Sequence, residues 1–190
     1  MERKTRNAMV KRGSGDRETP QDFFEVVDAL FGPFEVDAAA TKKNRKCEVY
    51  IGRKQNALKI KWPKKKKIWL NPPYGGSGDG KMEEWLAKAW EASRRGSTVV
   101  VLTFARTETV WFQEWAKHGE VLWIRGRLKF APYDEVSLIP NCLIIYRPED
   151  EWNVGSSIRS RIFDWRELKE RIIRMKKIQQ FKQIIWHTML

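Results

Sequence analysis

The sequence predicts a layered α/β domain with a mostly parallel sheet. Apolar runs of strand length alternate along the chain with segments in which apolar residues recur every three or four positions. Between residues 68 and 104 the order is strand, helix, strand, which indicates a right-handed parallel crossover. The 190 residues are enough to bury the core of one such domain.

The chain divides into three segments. Residues 1–17 are basic and have almost no apolar periodicity, which predicts a flexible arm. Residues 18–148 carry the alternating pattern and form the predicted domain. Residues 149–190 combine helical apolar spacing with many Lys and Arg residues, which predicts a basic amphipathic helical tail. The arm has no apolar stretch, so we expect neither a secretory signal nor a membrane span there.

The first part of the domain contains one predicted helix and one predicted strand. The helix covers residues 20–31, with Thr19 as the N-cap and Pro20 at the first helical position. Residues 34–37 form a short strand that ends in Asp37, and a turn of small residues follows. The basic segment after this turn has no assignable pattern.

The second part of the domain contains four predicted strands, and two helices lie between the first three of them. In chain order the elements are a strand over residues 68–70, a helix from Met82 that ends before Gly96, a strand over residues 98–104, a helix over residues 107–117, a strand over residues 121–124 and a strand over residues 142–146. In parallel sheets ligands bind beyond the carboxyl ends of the strands. We therefore expect Asp37, Asn71 and Arg106 at one edge.

The tail keeps a spacing of three and four residues between its apolar positions. These positions are Ile158, Ile162, Trp165, Leu168, Ile172 and Met175. Such a helix can pack on the domain, join two subunits as a homodimer or contact DNA, and the sequence leaves these alternatives open.

The charge of the chain points to a polyanionic partner. Lys and Arg number 37 against 24 Asp and Glu, which gives a net charge of +13. Nucleic acid is favoured because Lys and Arg neutralise phosphates, although an acidic membrane surface or adaptation to heat would also suit this composition. Cys47 and Cys142 are the only cysteines, and no residues have metal-ligand spacing. We expect no metal site, reduced thiols and a cytoplasmic protein.

The short strand over residues 68–70 stops at Asn71, Pro72, Pro73 and Tyr74. The amino group of adenine or cytosine is a poor nucleophile because its lone pair is delocalised into the ring. The Asn71 carbonyl can accept one of its N–H groups and the Pro72 backbone carbonyl the other, while Tyr74 offers an aromatic face to a base taken out of the duplex. This tetrapeptide could also be a simple tight turn. Its place at a strand end, with two glycines following, favours a catalytic loop.

Five sequence blocks, taken in order, resemble the phage-type DNA N6-adenine methyltransferase family. The resemblance extends over roughly residues 19–147. The blocks are Thr19-Pro20, residues 34–40, residues 71–74, residues 105–112 and residues 126–130.

The resemblance implies a compact Rossmann-like class I methyltransferase fold that uses S-adenosylmethionine to methylate N6 of adenine in double-stranded DNA after base flipping. A virus-encoded member would act in the host cytoplasm. The resemblance also implies that Thr19 and Pro20 lie near the methionine part of the cofactor and that Asp37 and Ala38 belong to the cofactor pocket. Asn71 would contact the cofactor as well as the base.

The chain departs from larger methyltransferases in the turn after Asp37. Their glycine-rich loop is replaced here by three alanines and a threonine. Only about thirty residues separate Asp37 from Asn71, which is too short for two full strand–helix units. We therefore expect a fold that is abbreviated between the first strand and the strand before Asn71.

Several residues are candidates for DNA contact. Arg106 and Arg127 can reach phosphates or the target base, Lys129 lies in the same block as Arg127, and Phe130 is a candidate stacking surface. Arg106 can equally pair with a carboxylate, and Phe130 can belong to the core. The basic run of Lys64, Lys65 and Lys66 is either a solvated face or a phosphate contact without base preference.

Three other functions remain open from the sequence. The acceptor loop recognises an amino group and not a ring, so N4-cytosine methylation is the nearest alternative. Methylation of a protein glutamine amide uses the same tetrapeptide. The altered turn after Asp37 leaves open a catalytically silent DNA-binding protein on the same scaffold. Net charge and the five blocks favour DNA adenine.

Overall fold

The computed structural model describes residues 17–74, 81–131, 135–148 and 159–188, although not the side chains of residues 135 and 181–188. Within these residues, seven strands form one sheet. The strands are β1 (Val36–Asp37), β2 (Val49–Tyr50), β3 (Lys67–Leu70), β4 (Thr98–Phe104), β5 (Glu120–Ile124), β8 (Asn141–Tyr146) and β9 (Arg159–Phe163). Their order across the sheet is β2-β1-β3-β4-β8-β5-β9, and only β8 runs antiparallel to its neighbours. The prediction of an α/β fold with a mostly parallel sheet is confirmed.

Helices cover both faces of the sheet. They are α1 (Gln21–Phe31), α2 (Met82–Ser93), α3 (Val110–Ala116) and α4 (Trp165–Thr188). One face packs against α2 and α3, with Leu86 and Phe112 in its core, and the other packs against α1 and the start of α4, with Phe23 and Trp165 in its core. A short hairpin of β6 (Lys129–Phe130) and β7 (Glu135–Val136) stands apart from the sheet.

Alternating burial in β4 explains why a central strand belongs to both cores. Val99 and Val101 point to the α2 side, whereas Val100 and Leu102 point to the α1 side. Because both faces are covered, the strand is an uninterrupted apolar run. The strand predicted over residues 98–104 agrees with β4 at both ends.

The beginning of α1 differs from the prediction by one residue. Pro20 is the N-cap, and its carbonyl accepts the first helical hydrogen bond from Phe24 N at 3.0 Å. Thr19 does not cap the helix, because its hydroxyl is engaged by the side chain of Asn71. The helix predicted from residue 107 begins only at Val110, after a turn in which the Thr109 hydroxyl donates to the Arg106 carbonyl.

The segment left unassigned between β1 and β3 contributes an edge strand. β2 pairs in parallel with β1, and a short 3-10 helix follows at Arg53–Gln55. β2 has two residues, one exposed and one half-buried, so its sequence shows no periodicity. Backbone pairing alone defines it.

The tail differs from the prediction because its first described part is a strand. β9 pairs in parallel with β5 and extends the sheet beyond residue 148, where the sequence placed the end of the domain. Strand alternation separates Ile162, which is 69% exposed, from Phe163, which is 5% exposed. The helix begins only at Trp165, and Ile158 lies outside the described residues. No described helix is long and apolar enough to cross a membrane.

The alternation in β9 gives a test of the C-terminal architecture. Phe163→Ala should lower the free energy of unfolding by about 3–5 kcal/mol, because it leaves a cavity in the core next to Phe23. The neighbouring control Ile162→Ala should change it by less than about 1 kcal/mol. Urea denaturation of both variants measures the difference. Equal losses would contradict the strand assignment, because both residues would then share one buried face.

Candidate active site

The loop of residues 71–74 begins where β3 ends, in the middle of the parallel part of the sheet. β3 lies between β1 and β4, and Asp37 is in register with Trp69, two residues before Asn71. Pro72 is buried, and neither proline has an N–H to donate to a ladder or a helix. Arg106 follows the end of β4 by two residues. The parallel pairing thus brings Asp37, Asn71 and Arg106 to the same edge.

The side-chain amide of Asn71 is held in one orientation. Its Nδ2 donates to the backbone carbonyl of Arg17 at 2.7 Å and to the hydroxyl of Thr19 at 3.1 Å. A carbonyl oxygen can only accept, so this contact identifies the nitrogen side of the amide. The other atom, Oδ1, is buried and has no hydrogen-bond partner in the described structure. An unpaired buried acceptor costs about 1–3 kcal/mol, which a donor on a bound ligand would offset.

The segment that holds Asn71 is attached to the rest of the molecule. Glu18 and Ala131 form an antiparallel bridge in which Glu18 N donates to the Ala131 carbonyl at 3.0 Å and Ala131 N donates back at 3.3 Å. The Arg17 guanidinium lies 5.5 Å from the ring centre of Phe104 and 5.8 Å from that of Phe130. Arg17, which the sequence assigned to the flexible arm, therefore belongs to this site; the rest of that arm lies outside the described residues.

Tyr74 is fixed at both ends of its side chain. Its hydroxyl donates to the Leu102 carbonyl at 2.9 Å, and its ring lies 4.1 Å from the ring of Phe104 with 37° between the planes. Burial raises the pKa of the Tyr74 hydroxyl, so that it remains a neutral donor. The contact with Phe104 occupies one face of the Tyr74 ring. Any stacking partner of Tyr74 must use the other face.

Asp37 is a buried carboxylate at the end of β1. Its Oδ2 accepts from Lys46 N at 2.9 Å and its Oδ1 from Ala39 N at 3.3 Å, so the side chain closes the small-residue turn. Loss of solvation on burial raises the pKa of Asp37 to about 6, although both backbone hydrogen bonds act in the opposite direction. Each carboxylate oxygen keeps a lone pair for another donor.

A pocket joins Asp37 to Asn71. It encloses about 910 Å³, part of which is open to solvent. Most of its walls come from the segment before α1, the small-residue turn, the region around the 3-10 helix and the 71–74 loop, and α2 adds Trp85. The other lining residues include Thr19, Asp37, Ala38, Lys46, Asn56, Ala57, Asn71, Pro72 and Pro73.

The residues predicted to contact DNA lie in different environments. Arg106 pairs with Glu108, with 3.0 Å between Nε and Oε1, and is 46% exposed. Arg127 donates to the Leu138 carbonyl at 2.7 Å, which ties β6 to the chain before β8. Lys129 is exposed. Phe130 is 2% exposed and belongs to the core on the α1 side, so it has no free ring face in this structure.

The basic run lies at the other end of β3. Lys64, Lys65 and Lys66 precede the strand, whereas Asn71 follows it, and a strand of four residues separates the two by about 13 Å. All three are exposed, and the Lys66 ammonium pairs with Glu35 at 2.6 Å. Of the two interpretations of this run, its position favours a solvated face.

Sequence reasoning did not find several residues of the site. Lys46 lines the pocket and is hydrogen-bonded to Asp37 through its backbone, but in the sequence it appears only as one member of a basic cluster. Asn44 and Asn56 also line the pocket from the segment that could not be assigned. Their contribution depends on β2 pairing with β1. A two-residue edge strand gives no signal from which that pairing could have been predicted.

Comparison with known proteins identifies the family that this sequence resembles. A family model described as DNA N-6-adenine-methyltransferase (Dam) matches residues 8–173. The DNA N-6-adenine-methyltransferase of Escherichia phage T1 is 30% identical over 154 residues, which cover 80% of this chain and 63% of that protein. The "Putative methyltransferase YfdM" of Escherichia coli (strain K12) is 36% identical over 66 residues, which cover 32% of this chain and 72% of that protein.

The family match includes every part of the pocket described above. Residues 8–173 contain the segment before α1, the turn after Asp37, the 71–74 loop and the strands that deliver them. The chain therefore belongs to the DNA N-6-adenine-methyltransferase (Dam) family.

Proposed function

We propose that this protein transfers a methyl group from S-adenosylmethionine to N6 of adenine in double-stranded DNA, after the target base has left the duplex. The observation that carries the proposal is the buried, unpaired Oδ1 of Asn71, held in place from the opposite side of the amide by Arg17 and Thr19. Family membership supports adenine over cytosine and over protein amides. The net charge of +13 supports a nucleic-acid substrate.

Asn71 makes the amino group of the base reactive by accepting a hydrogen bond from it. The lone pair of N6 is conjugated with the ring, and an acceptor that holds an N–H group directs the lone pair out of conjugation. Because the Arg17 and Thr19 contacts already fix the amide, Asn71 needs no reorganisation when the base arrives. The Pro72 carbonyl is the second acceptor in this proposal, on a loop that two prolines stiffen.

Tyr74 supports the flipped base through its remaining ring face. A base outside the duplex loses its stacking neighbours, and an aromatic ring replaces part of that loss. The hydroxyl bond to Leu102 and the contact with Phe104 keep the Tyr74 ring from turning. Proper alignment of the base with the methyl donor accounts for much of the rate in this kind of reaction.

The pocket beside Asn71 fits the proposed cofactor. S-Adenosylmethionine supplies an activated methyl group on a sulfonium, and it also carries an ammonium. Asp37, whose pKa is raised to about 6 by burial, is an anion that gains from a cation placed next to it. Thr19 and Ala38 line the same pocket, and the alanine turn leaves space where larger side chains would fill it. Pro20 follows Thr19 and caps α1.

The substrate implies where the protein works and which surfaces it uses. We infer that the protein acts in the cytoplasm, or in the host cytoplasm if a virus encodes it. Arg106, Arg127 and Lys129 remain our candidates for DNA contact on the edge that carries Asn71. The exposed Ile173 and Met175 of α4 keep a homodimer through this helix as a proposal.

Substitutions at Asn71 and Thr19 test the acceptor. Asn71→Ala should lower kcat by about 100- to 1000-fold, because the fixed acceptor is lost. Thr19→Val removes the hydroxyl that holds Nδ2 and should lower kcat about tenfold, whereas Thr19→Ser retains the hydroxyl and should stay near the wild-type value. The measurement is transfer of labelled methyl to duplex DNA at saturating methyl donor.

Thermal unfolding of the same variants is the control, since the Asn71 variant should retain the fold. Recovery of N4-methylcytosine instead of N6-methyladenine from the digested DNA would establish the cytosine alternative. DNA binding without methyl-donor binding or transfer would establish a silent DNA-binding protein.

The pKa of Asp37 predicts a pH dependence of cofactor binding. Below pH 6 the folded protein protonates this carboxyl, and above pH 6 the carboxylate is available to the cationic cofactor. The affinity for S-adenosylmethionine should therefore rise about tenfold between pH 5 and pH 7, and Asp37→Asn should abolish this rise. Calorimetric titration measures both.

Glu35→Gln is the matched control for Asp37→Asn. Glu35 lies at the other end of β1, and its hydrogen bond with Lys66 lowers its pKa, so it does not titrate in this range. A pH dependence that survives in Asp37→Asn would place the titrating group elsewhere.

A further inference from the structure

A second asparagine at the same edge of the sheet has a buried and unsatisfied side chain. Asn141 is the first residue of β8 and is 1% exposed. Neither its Nδ2 nor its Oδ1 has a hydrogen-bond partner in the described structure. Among the described residues with such buried unpaired atoms, Asn141 alone has two of them. Each unpaired atom is a cost that a folded protein normally avoids.

The topology places Asn141 near the catalytic loop. β8 is antiparallel to β4, so its first residue lies beside the last residue of β4, and Asn141 is paired in register with Phe104. Directly opposed residues of this kind have Cβ atoms about 5 Å apart. The ring of Phe104 in turn lies 4.1 Å from the ring of Tyr74.

Asn141 and Asn71 also share a face of the sheet. Along β8, Leu143 and Ile145 belong to the core on the α1 side, and strand alternation puts Asn141 on that side with them. Along β3, Trp69 belongs to the same core, and Asn71 contacts the segment that leads into α1. The two unpaired asparagines therefore flank the ring cluster of Tyr74 and Phe104 from the strands on either side of β4.

We propose that Asn141 is a second hydrogen-bonding residue of the target-base pocket, where its amide N–H donates to a ring nitrogen of the flipped adenine. This inference rests on the proposed function. The amide nitrogen of Asn141 supplies a donor, and N7 and N1 of adenine are acceptors beside the amino group, whose own two N–H groups go to Asn71 and Pro72 in the proposed reaction.

Access to Asn141 requires a movement of Arg17. The guanidinium of this half-buried residue covers Phe130 and Phe104, and Phe104 is the strand partner of Asn141. A base that stacks on the free face of Tyr74 and reaches Asn141 takes the place of the guanidinium. The arrangement explains why an amide can remain unsatisfied in the free protein: its partner arrives with the substrate.

Asn141→Leu distinguishes a binding residue from a structural one. Leucine has the same branching and the same number of side-chain heavy atoms as asparagine but no polar atoms, so the variant should unfold at the wild-type temperature or above, since a buried unsatisfied amide is removed. Its kcat/KM for duplex DNA should fall about 10- to 100-fold, because a hydrogen bond to the base is lost. Thr103→Val is the matched control: Thr103 is a buried polar residue of β4 on the other face, with its hydroxyl 3.5 Å from Met82 Sδ, and its replacement should leave kcat/KM unchanged.

Modified substrates identify the contact. Duplexes that carry 7-deazaadenine or 1-deazaadenine at the target position lack one ring nitrogen each. If Asn141 donates to the nitrogen that one of these analogues lacks, the wild-type enzyme should lose about as much kcat/KM on that duplex as Asn141→Leu loses on unmodified adenine. The variant should show little further loss on that same duplex.

The outcomes separate this inference from the proposed function. If both the wild type and Asn141→Leu methylate duplex DNA with the same kcat/KM, the role of Asn141 is overturned and the proposed function stands. If each analogue lowers kcat/KM by the same factor in the wild type and in Asn141→Leu, this role is also overturned. The same holds if Asn141→Leu proves both less stable and less active than the wild type. Absence of methyl transfer by the wild-type protein to any duplex would overturn the proposed function and this inference together.

Discussion

The hydrogen bond from Asn71 Nδ2 to the carbonyl of Arg17 is the contact on which the site depends. It joins the end of β3 to the segment before α1, and it decides which atom of the amide faces away from that segment. The segment itself is held by the bridge between Glu18 and Ala131, so β6 contributes to the orientation of Asn71 without touching it. In the proposed reaction, an acceptor that is already fixed before the substrate binds has no reorganisation to undergo.

The sheet explains how this contact becomes part of a pocket. Parallel strands end at a common edge, and β1 and β3 therefore deliver Asp37 and Asn71 side by side. The antiparallel strand β8 adds its first residue to that edge instead of its last, which is how Asn141 comes to lie opposite Phe104. The two apolar cores on either face keep the strands in place while polar groups at the edge remain unpaired.

The sequence was sufficient wherever side-chain periodicity decides the structure. β4 and α2 are central elements with strong apolar patterns, and the predictions for them agree with the structure. Edge elements were missed or misassigned, because backbone pairing defines β2, and because the apolar residues around β9 also fit helical spacing. The 71–74 loop could be predicted from its composition and its place after a strand. The partners of Asn71 could not, because Arg17 and Thr19 lie more than fifty residues away in the chain and meet it only through the fold.

The site concentrates groups that are unfavourable in the free protein. Asp37 loses solvation without an ion pair that would offset it fully, as its raised pKa shows, and Asn71 and Asn141 bury three amide atoms without partners. Each of these groups would be more stable in water or if replaced by an apolar residue. Each is also the complement of a group that the proposed ligands carry: a cation beside Asp37, an amino group at Asn71 and a ring nitrogen at Asn141. These three groups lower the stability of the free protein. In the proposed complex they are paired, so the same free energy contributes to the binding of cofactor and base.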